Sequence, residues 1–192
     1  MKKKFWIGSM ALLGVTAVAV AALDAGHLSP FVSSLNKAEG IEADYTMQTI
    51  GGTASKYKVA LAKPDLAMID TPTMTYVADG EMITTFDKKM NAYYKKEQTQ
   101  EALAELFTDD NVAIWKSFFD EKALDFVKST KSEGTKKRRG ETFNIVSAVG
   151  DAKGEFTFRL HLDRQKMPKM AEFTTTNGSK SSTRVMNASK LT

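Results

Sequence analysis

Between Lys63 and Lys96 the chain reads KPDLAMIDTPTMTYVADGEMITTFDKKMNAYYKK, and it never runs more than seven residues without a break: Pro64, Pro72, Asp79-Gly80 and Asp87-Lys88-Lys89 interrupt it in turn. A globular helix averages about 11 residues and a strand about 5, so the stretch is a meander of short strands: LAMID, MTYVA, EMITTF and NAYY. Asp79-Gly80 between two such runs is a strong hairpin signal, because a type I′ turn needs positive φ at both central residues. Neither alternating face is cleanly polar. The register is therefore open: Met74, Tyr76, Met82 and Phe86 face inward with Thr75, Val77, Ile83 and Thr85 outward, or the reverse.

The ends of the chain set the compartment. Lys2, Lys3 and Lys4 precede an uncharged run of 19 residues, Phe5 to Leu23, which closes on AVAVAALDAG. This order predicts a secretory signal peptide over residues 1–22, cleaved between 22 and 26. A retained membrane anchor is the rival reading, since roughly 20 apolar residues span a bilayer. Residues 27–192 then form a single domain, periplasmic or otherwise extracytoplasmic. The sequence has no Cys, which excludes disulfides and lipid attachment to a cysteine after the run, so the fold rests on burial alone. A domain of this size buries about 70% of its unfolded-state surface.

The formal charge of +4 suggests a basic surface, but residues 1–22 carry three of the 27 basic side chains and none of the 23 acidic ones. The exported chain is nearly neutral, and a nucleic-acid partner is not expected. The one basic cluster, Lys136, Lys137, Arg138 and Arg139 between Gly134 and Gly140, reads as a solvated loop between strands, with contact to anionic lipid as its alternative.

Elsewhere the periods alternate between helix and strand. HLSPFVSSLNKAEG places Leu28, Phe31, Val32 and Leu35 at helical spacing, with Ser29 and Pro30 as N-cap and N1 and Gly40 as the stop. IEADYTMQTI buries Ile41, Ala43, Tyr45 and Met47 on one face, and SKYKVALAKP does the same with Tyr57, Val59 and Leu61 until Pro64. Helical spacing returns in TQEALAELF and in DDNVAIWKSFFDEKALDFV, where Val112, Trp115, Phe118 and Phe119 share a face. Strands resume in ETFNIVSAV and in GEFTFRLHLD, with Phe156, Phe158, Leu160 and Leu162 on one side and Glu155, Thr157, Arg159 and His161 on the other. KMAEFTTT, an Asn177-Gly178 turn and SSTRVMNA complete the chain. The order is a helix, five or six strands, helices, then about four strands: an α+β, mainly β chain whose antiparallel sheet has helices set against it.

That order, with Lys63-Pro64, LAMID, Pro72, MTYVADG and MITTFDKKMNAYY, resembles the LolA/LolB-like superfamily of periplasmic lipoprotein and lipid carriers. LNKAEGIEADYTMQTI is similar to the family's first helix and strand, and FTFRLHLDRQKMPKMAEF to its strand, Asp, Pro, strand unit. The resemblance implies a curved, unclosed antiparallel half-barrel with helices covering the concave face, over residues 27–192. It further implies a carrier or chaperone that binds acyl chains of lipoproteins or lipids in a hydrophobic cavity, for transfer toward the outer membrane between membrane donor and acceptor proteins. The alternative is a LolA-like sensory or regulatory domain that binds an envelope protein. Family members usually carry Arg before the first Pro, as a lid latch; Lys63 is the latch candidate here, with a compact ammonium instead of a planar fork.

On this reading the cavity and lid residues are Met47, Val59, Leu61, Met68, Met74, Tyr76, Met82, Phe86, Trp115, Phe118, Phe119, Phe156, Phe158, Leu160 and Leu162. Met is unbranched and polarizable and suits acyl chains of varied shape, although any single one serves equally as core filler. The aromatics at 115, 118 and 119 would show the same spacing on a helix that merely packs on a sheet. No catalytic set can be assembled: there is no Cys, His27 lies near the signal junction, and His161 alternates with apolar strand residues. Asp79, Asp87 and Asp163 sit where Asp favours turns. The chain reads as a non-enzyme and a monomer, without cofactor or metal.

Overall fold

A computed structural model describes residues 26–120, 122–151 and 155–192; the expected signal segment, residues 1–22, lies outside them. The alternation in IEADYTMQTI becomes β1 (Gly40–Thr49), with Ile41, Ala43, Tyr45 and Met47 buried. The meander continues as β2 (Ser55–Ala62), β3 (Leu66–Asp70), β4 (Met74–Ala78), β5 (Met82–Asp87) and β6 (Ala92–Glu97). After a helical insert come β7 (Val127–Arg138), β8 (Glu141–Asp151), β9 (Glu155–Leu162), β10 (Pro168–Asn177) and β11 (Lys180–Leu191).

All the strands belong to one sheet, in the order β6-β5-β4-β3-β2-β1-β11-β10-β9-β8-β7, and every neighbouring pair is antiparallel. β6 and β7 do not meet, so the sheet is an unclosed antiparallel half-barrel. Its inner face carries the buried side chains of alternate positions, and α1 (Ser29–Lys37), α2 (Gln100–Glu105) and a 3₁₀ segment, Ala113–Phe118, add Phe31, Leu35, Leu103, Trp115 and Phe118 to the same core. No helix among the described residues is long and apolar enough to cross a membrane.

Four local expectations need correction. Ser29 does not cap α1: a 3₁₀ turn, Gly26–Leu28, runs straight into the helix and places Ser29 inside it. DDNVAIWKSFFDEKALDFV does not form a long helix; Ala113–Phe118 winds as 3₁₀ and turns follow. Asp109 Oδ1 accepts from the Asn111 N–H at 2.8 Å and Asp120 Oδ1 from the Lys122 N–H at 2.9 Å, and such local bonds compete with the helix ladder. Ile114, Trp115, Ser117 and Phe118 are all buried, leaving no broad solvated face of the kind that keeps a helix amphipathic.

The basic cluster is not a loop either. Lys136, Lys137 and Arg138 belong to edge strand β7, and the turn is Arg139-Gly140, with consecutive positive φ values of 51° and 85°. Asp79-Gly80 is a hairpin turn but not type I′, since only Gly80 has positive φ. There the Asp79 carboxylate accepts from the N–H groups of Glu81 and Met82. Asp87 and Asp163 do the same at their own turns, for Lys89 and Met90 and for Gln165 and Met167.

Gly150 in β8 is required by a close approach. A Cβ there would sit 2.6 Å from Phe126 Cδ2 and 2.9 Å from the Phe126 carbonyl oxygen. Gly150→Ala is expected to lower stability by about 1–3 kcal/mol, read as a lower urea midpoint at unchanged m-value. His161 faces outward from β9, as its alternation requires, yet is only 7% exposed. Burial pushes its pKa below the ordinary value, with Arg159, Lys136 and Arg138 acting in the same direction and Glu172 against them. The unfolded chain therefore binds this proton more readily than the folded one. The stabilising contribution is complete above about pH 6.5 and is lost as pH falls from there toward the lower folded value. The urea midpoint is expected to drop between pH 7 and pH 5, and His161→Gln to flatten that drop.

Candidate functional site

The space between the half-barrel and its helical cover divides into a filled half and an open half. Register places Tyr45 opposite Tyr57, and Val59 opposite Ile69, on the inner face. Tyr45 and Tyr57 stack with centroids 5.4 Å apart, and Trp115 lies 6.0 Å from Tyr45. Trp115 and Phe118 are completely buried. Packing side chains therefore fill the surface beneath Trp115 and Phe118.

The open half lies against β9 and β10. Opposed pairs Phe158–Phe173 and Phe156–Thr175 face inward, and with Phe31, Ile114, Leu124 and Phe126 they line a cavity of about 370 Å³. The rings form one continuous wall: Phe126 lies 6.0 Å from Phe156 and 6.5 Å from Phe158, and Phe173 6.3 Å from Phe156. Thr108, Asp110, Ala113, Lys116, Ala123 and Thr175 complete the lining. Its charged groups, Asp110 and Lys116, sit toward the cover and the floor is aromatic apart from Thr175, a largely apolar lining with a few polar groups of the kind small-molecule sites generally have.

The cover is tied down at both ends. On the side that enters the 3₁₀ segment, Tyr45 Oη donates to the Asn111 carbonyl at 2.9 Å, and Arg184 of β11 donates to Asn111 Oδ1 at 3.0 Å and pairs with Asp110 at 3.2 Å. Burial holds the Tyr45 phenol well above its usual pKa, so it remains a donor throughout the physiological range. On the leaving side, Lys63 Nζ donates to the Phe118 carbonyl and stands 4.5 Å above the Phe118 ring and 5.8 Å from that of Phe119. Trp115 Nε1 and Ser117 Oγ are buried without a hydrogen-bond partner. The segment is therefore held by ring burial and by its two end ties, not by its own interior polar groups.

Of the residues expected to line a cavity, Phe156 and Phe158 do so. Met47, Val59, Leu61, Leu160 and Leu162 are inner-face core residues, and Met74 and Tyr76 face inward, half-buried. Met68, Met82 and Phe86 face the other way and correct the expected register of β3 and β5. Met68 is 39% exposed, whereas Ile83, between Met82 and Phe86 in alternation, is fully buried. Phe86 stacks on the exposed Tyr93 at 4.6 Å, outside the barrel. Phe119 is half-buried and packs edge-on against Phe118 at 4.9 Å. Sequence reasoning missed Phe31, Ile114, Leu124, Phe126, Phe173 and Thr175. Phe173 could have been found by extending the alternation of KMAEFTTT across to Phe158; Leu124 and Phe126 lie in turns, where no period exists.

No family model and no curated protein sequence matches the chain. Among solved structures, an uncharacterized conserved protein from Thermus thermophilus is similar over 85% of this chain and 85% of its own, with a TM-score of 0.51 at 7% identity. LppX, a lipoprotein of Mycobacterium tuberculosis, gives a TM-score of 0.48 at 10% identity, over 85% of this chain and 92% of its own. A LolA superfamily protein from Nitrosomonas europaea gives 0.34 at 7% identity, over 85% and 91%. At such identities the likeness shows a shared fold and nothing finer.

Lys63→Ala removes a charged hydrogen bond and leaves the Phe118 carbonyl without it, at an expected cost of about 1–3 kcal/mol. Trp115 is the only Trp after residue 22, so its fluorescence reports on the cover. Acrylamide is expected to quench that emission more strongly in K63A than in the parent, with K63R intermediate or equal to the parent.

Proposed function

We propose that the chain is an exported, extracytoplasmic carrier or chaperone that takes an acyl chain of a lipoprotein or lipid into the cavity between the Phe156–Phe158–Phe173 wall and the 3₁₀ cover, and hands it on toward the outer membrane. The observation that carries this reading is the cavity itself: a largely aromatic floor with Thr175 as its one polar residue, a cover tied at two points, and the charged groups of the lining on the cover side. Each methylene buried contributes about 0.8 kcal/mol, so a chain of modest length binds firmly and leaves when the cover moves. The protein acts as a monomer, with a membrane donor and an acceptor as transient partners, after removal of residues 1–22. The likeness in fold supports the reading without naming a ligand.

A second reading, a regulatory domain of the same fold that binds an envelope protein, draws on the outer face of the sheet. Leu66, Met68 and Val77 are each about 40% exposed there and border an open apolar groove with Ala60 and Ala62.

The discriminating experiment is uptake of a fluorescent acyl probe by delipidated protein. Saturable uptake is expected. Ala123→Phe, which fills the cavity, should weaken it about tenfold or more, since displacing even two methylenes costs about 1.6 kcal/mol. No uptake, together with a stoichiometric envelope protein whose binding is lost in Met68→Asp, would replace the first reading by the second.

A further inference from the structure

The cavity has a size, and the size selects a ligand. On one side it is bounded by the filled half of the barrel, where Tyr45, Trp115 and Phe118 are at most 2% exposed. On the other it ends at the Phe126, Phe156 and Phe158 rings, packed at centroid distances of 5.9 to 6.5 Å. Enlarging it in either direction means displacing close-packed rings, and interiors resist that. Taking a methylene as a water-sized unit of about 30 Å³, the roughly 370 Å³ of the cavity below its open mouth corresponds to about 12 methylenes. Three sixteen-carbon chains would need about four times that room.

The polar end of such a ligand also has a place. Lys116 lines the cavity and, on its other side, a surface groove of about 360 Å³ formed with Gln100, Phe107, Phe119 and Asp120. It therefore stands where cavity meets surface. Its present partner is Asp120, at 3.5 Å, and both side chains are more than a third exposed. Exposed pairs four residues apart contribute little, so a ligand anion can take the place of Asp120. The acid in the cavity lining, Asp110, is already paired with Arg184 at 3.2 Å. The floor of the cavity is aromatic apart from the Thr175 hydroxyl and carries no cationic side chain.

We infer that the cavity takes a single-chain amphiphile of about a dozen carbons, with an acidic head group held by Lys116, and not the two or three chains of a phospholipid or triacylated lipoprotein. This rests on the acyl-binding reading above and narrows it.

Native mass spectrometry and competition against a fluorescent acyl probe, using the chain from residue 27 onward, test it with dodecanoate, its neutral glycerol ester monolaurin, dioleoyl phosphatidylglycerol and a tripalmitoyl lipopeptide. Dodecanoate and monolaurin are expected at one molecule per protein, and the two- and three-chain lipids are expected not to compete. Equal or tighter binding of either larger lipid would overturn the single-chain assignment while leaving the carrier reading intact; binding of none would remove both. Lys116→Gln should weaken dodecanoate about tenfold, the range of a hydrogen bond to a charged group, and leave monolaurin unchanged. Equal loss of both ligands, or loss of neither, would overturn the head-group assignment, and unchanged Trp115 emission confirms that the variant is folded.

Discussion

The pairing of β1 with β11 makes this molecule one sheet instead of two. β1 to β6 form a meander on one side and β7 to β11 a second on the other, and they meet where residues 135 to 148 positions apart lie side by side, Thr49 against Arg184 and Ala43 against Leu191. The Glu42 N–H donates to the Thr192 carbonyl at 2.8 Å and the Thr192 N–H returns the bond at 3.0 Å, while Lys190 pairs with the Glu42 carboxylate at the surface. Both strands also reach the cover: Tyr45 of β1 and Arg184 of β11 converge on Asn111. A break at this seam would therefore part the sheet and release one end of the cover together. Closing so long a loop costs entropy before any contact rewards it, so the seam is expected to form late in folding.

What could be read in the sequence was what repeats with a fixed period. The inner faces of β1, β2 and β9 follow their alternation residue for residue, and the single-sheet architecture followed from the order of strands and helices. β5 shows where alternation stops being informative. Its six residues, MITTFD, are apolar at Met82, Ile83 and Phe86, on both faces, so pattern alone could not decide which side is buried. Pairing decides it: Ala78 is buried and lies opposite Ile83. β7 failed for the converse reason. VKSTKSEGTKKR is polar on both faces because it is a free edge, where charge serves to discourage further pairing, and that composition looks the same as a loop.

The cavity was the least legible feature because it is a property of mismatch. Trp115 and Phe118 lie in the half filled by one buried cluster with Tyr45, Tyr57 and Ile69, in which Tyr45 meets Trp115 and stacks on Tyr57. Where the facing sheet residues are Phe156, Phe158, Phe173 and Thr175, the cover opposes them with Ala113 and Ala123 and leaves a gap. The small side chains of Ala113 and Ala123 on the cover make the room, and no local period records which residue faces which. Gly150 lets Phe126 lie close against β8, where its ring forms part of the wall.

Lys63 sets how the cover is held. A guanidinium could donate to several cover carbonyls at once through a rigid fork, whereas an ammonium is a compact donor on a flexible stem. Here it spends its reach on one carbonyl and on the faces of two rings. Ring contacts of this kind contribute about 0.5–1 kcal/mol at exposed sites and more when desolvated, and they tolerate sliding of the ammonium over the ring. The two ties consequently differ in kind. The Asn111 end is fixed by directional bonds from two different strands, while the Phe118 end is fixed by one bond and a non-directional contact. Of the two ties, the Phe118 end is therefore the one expected to give first if the cover moves, with Asn111 as the pivot and Lys116 close to the freer end.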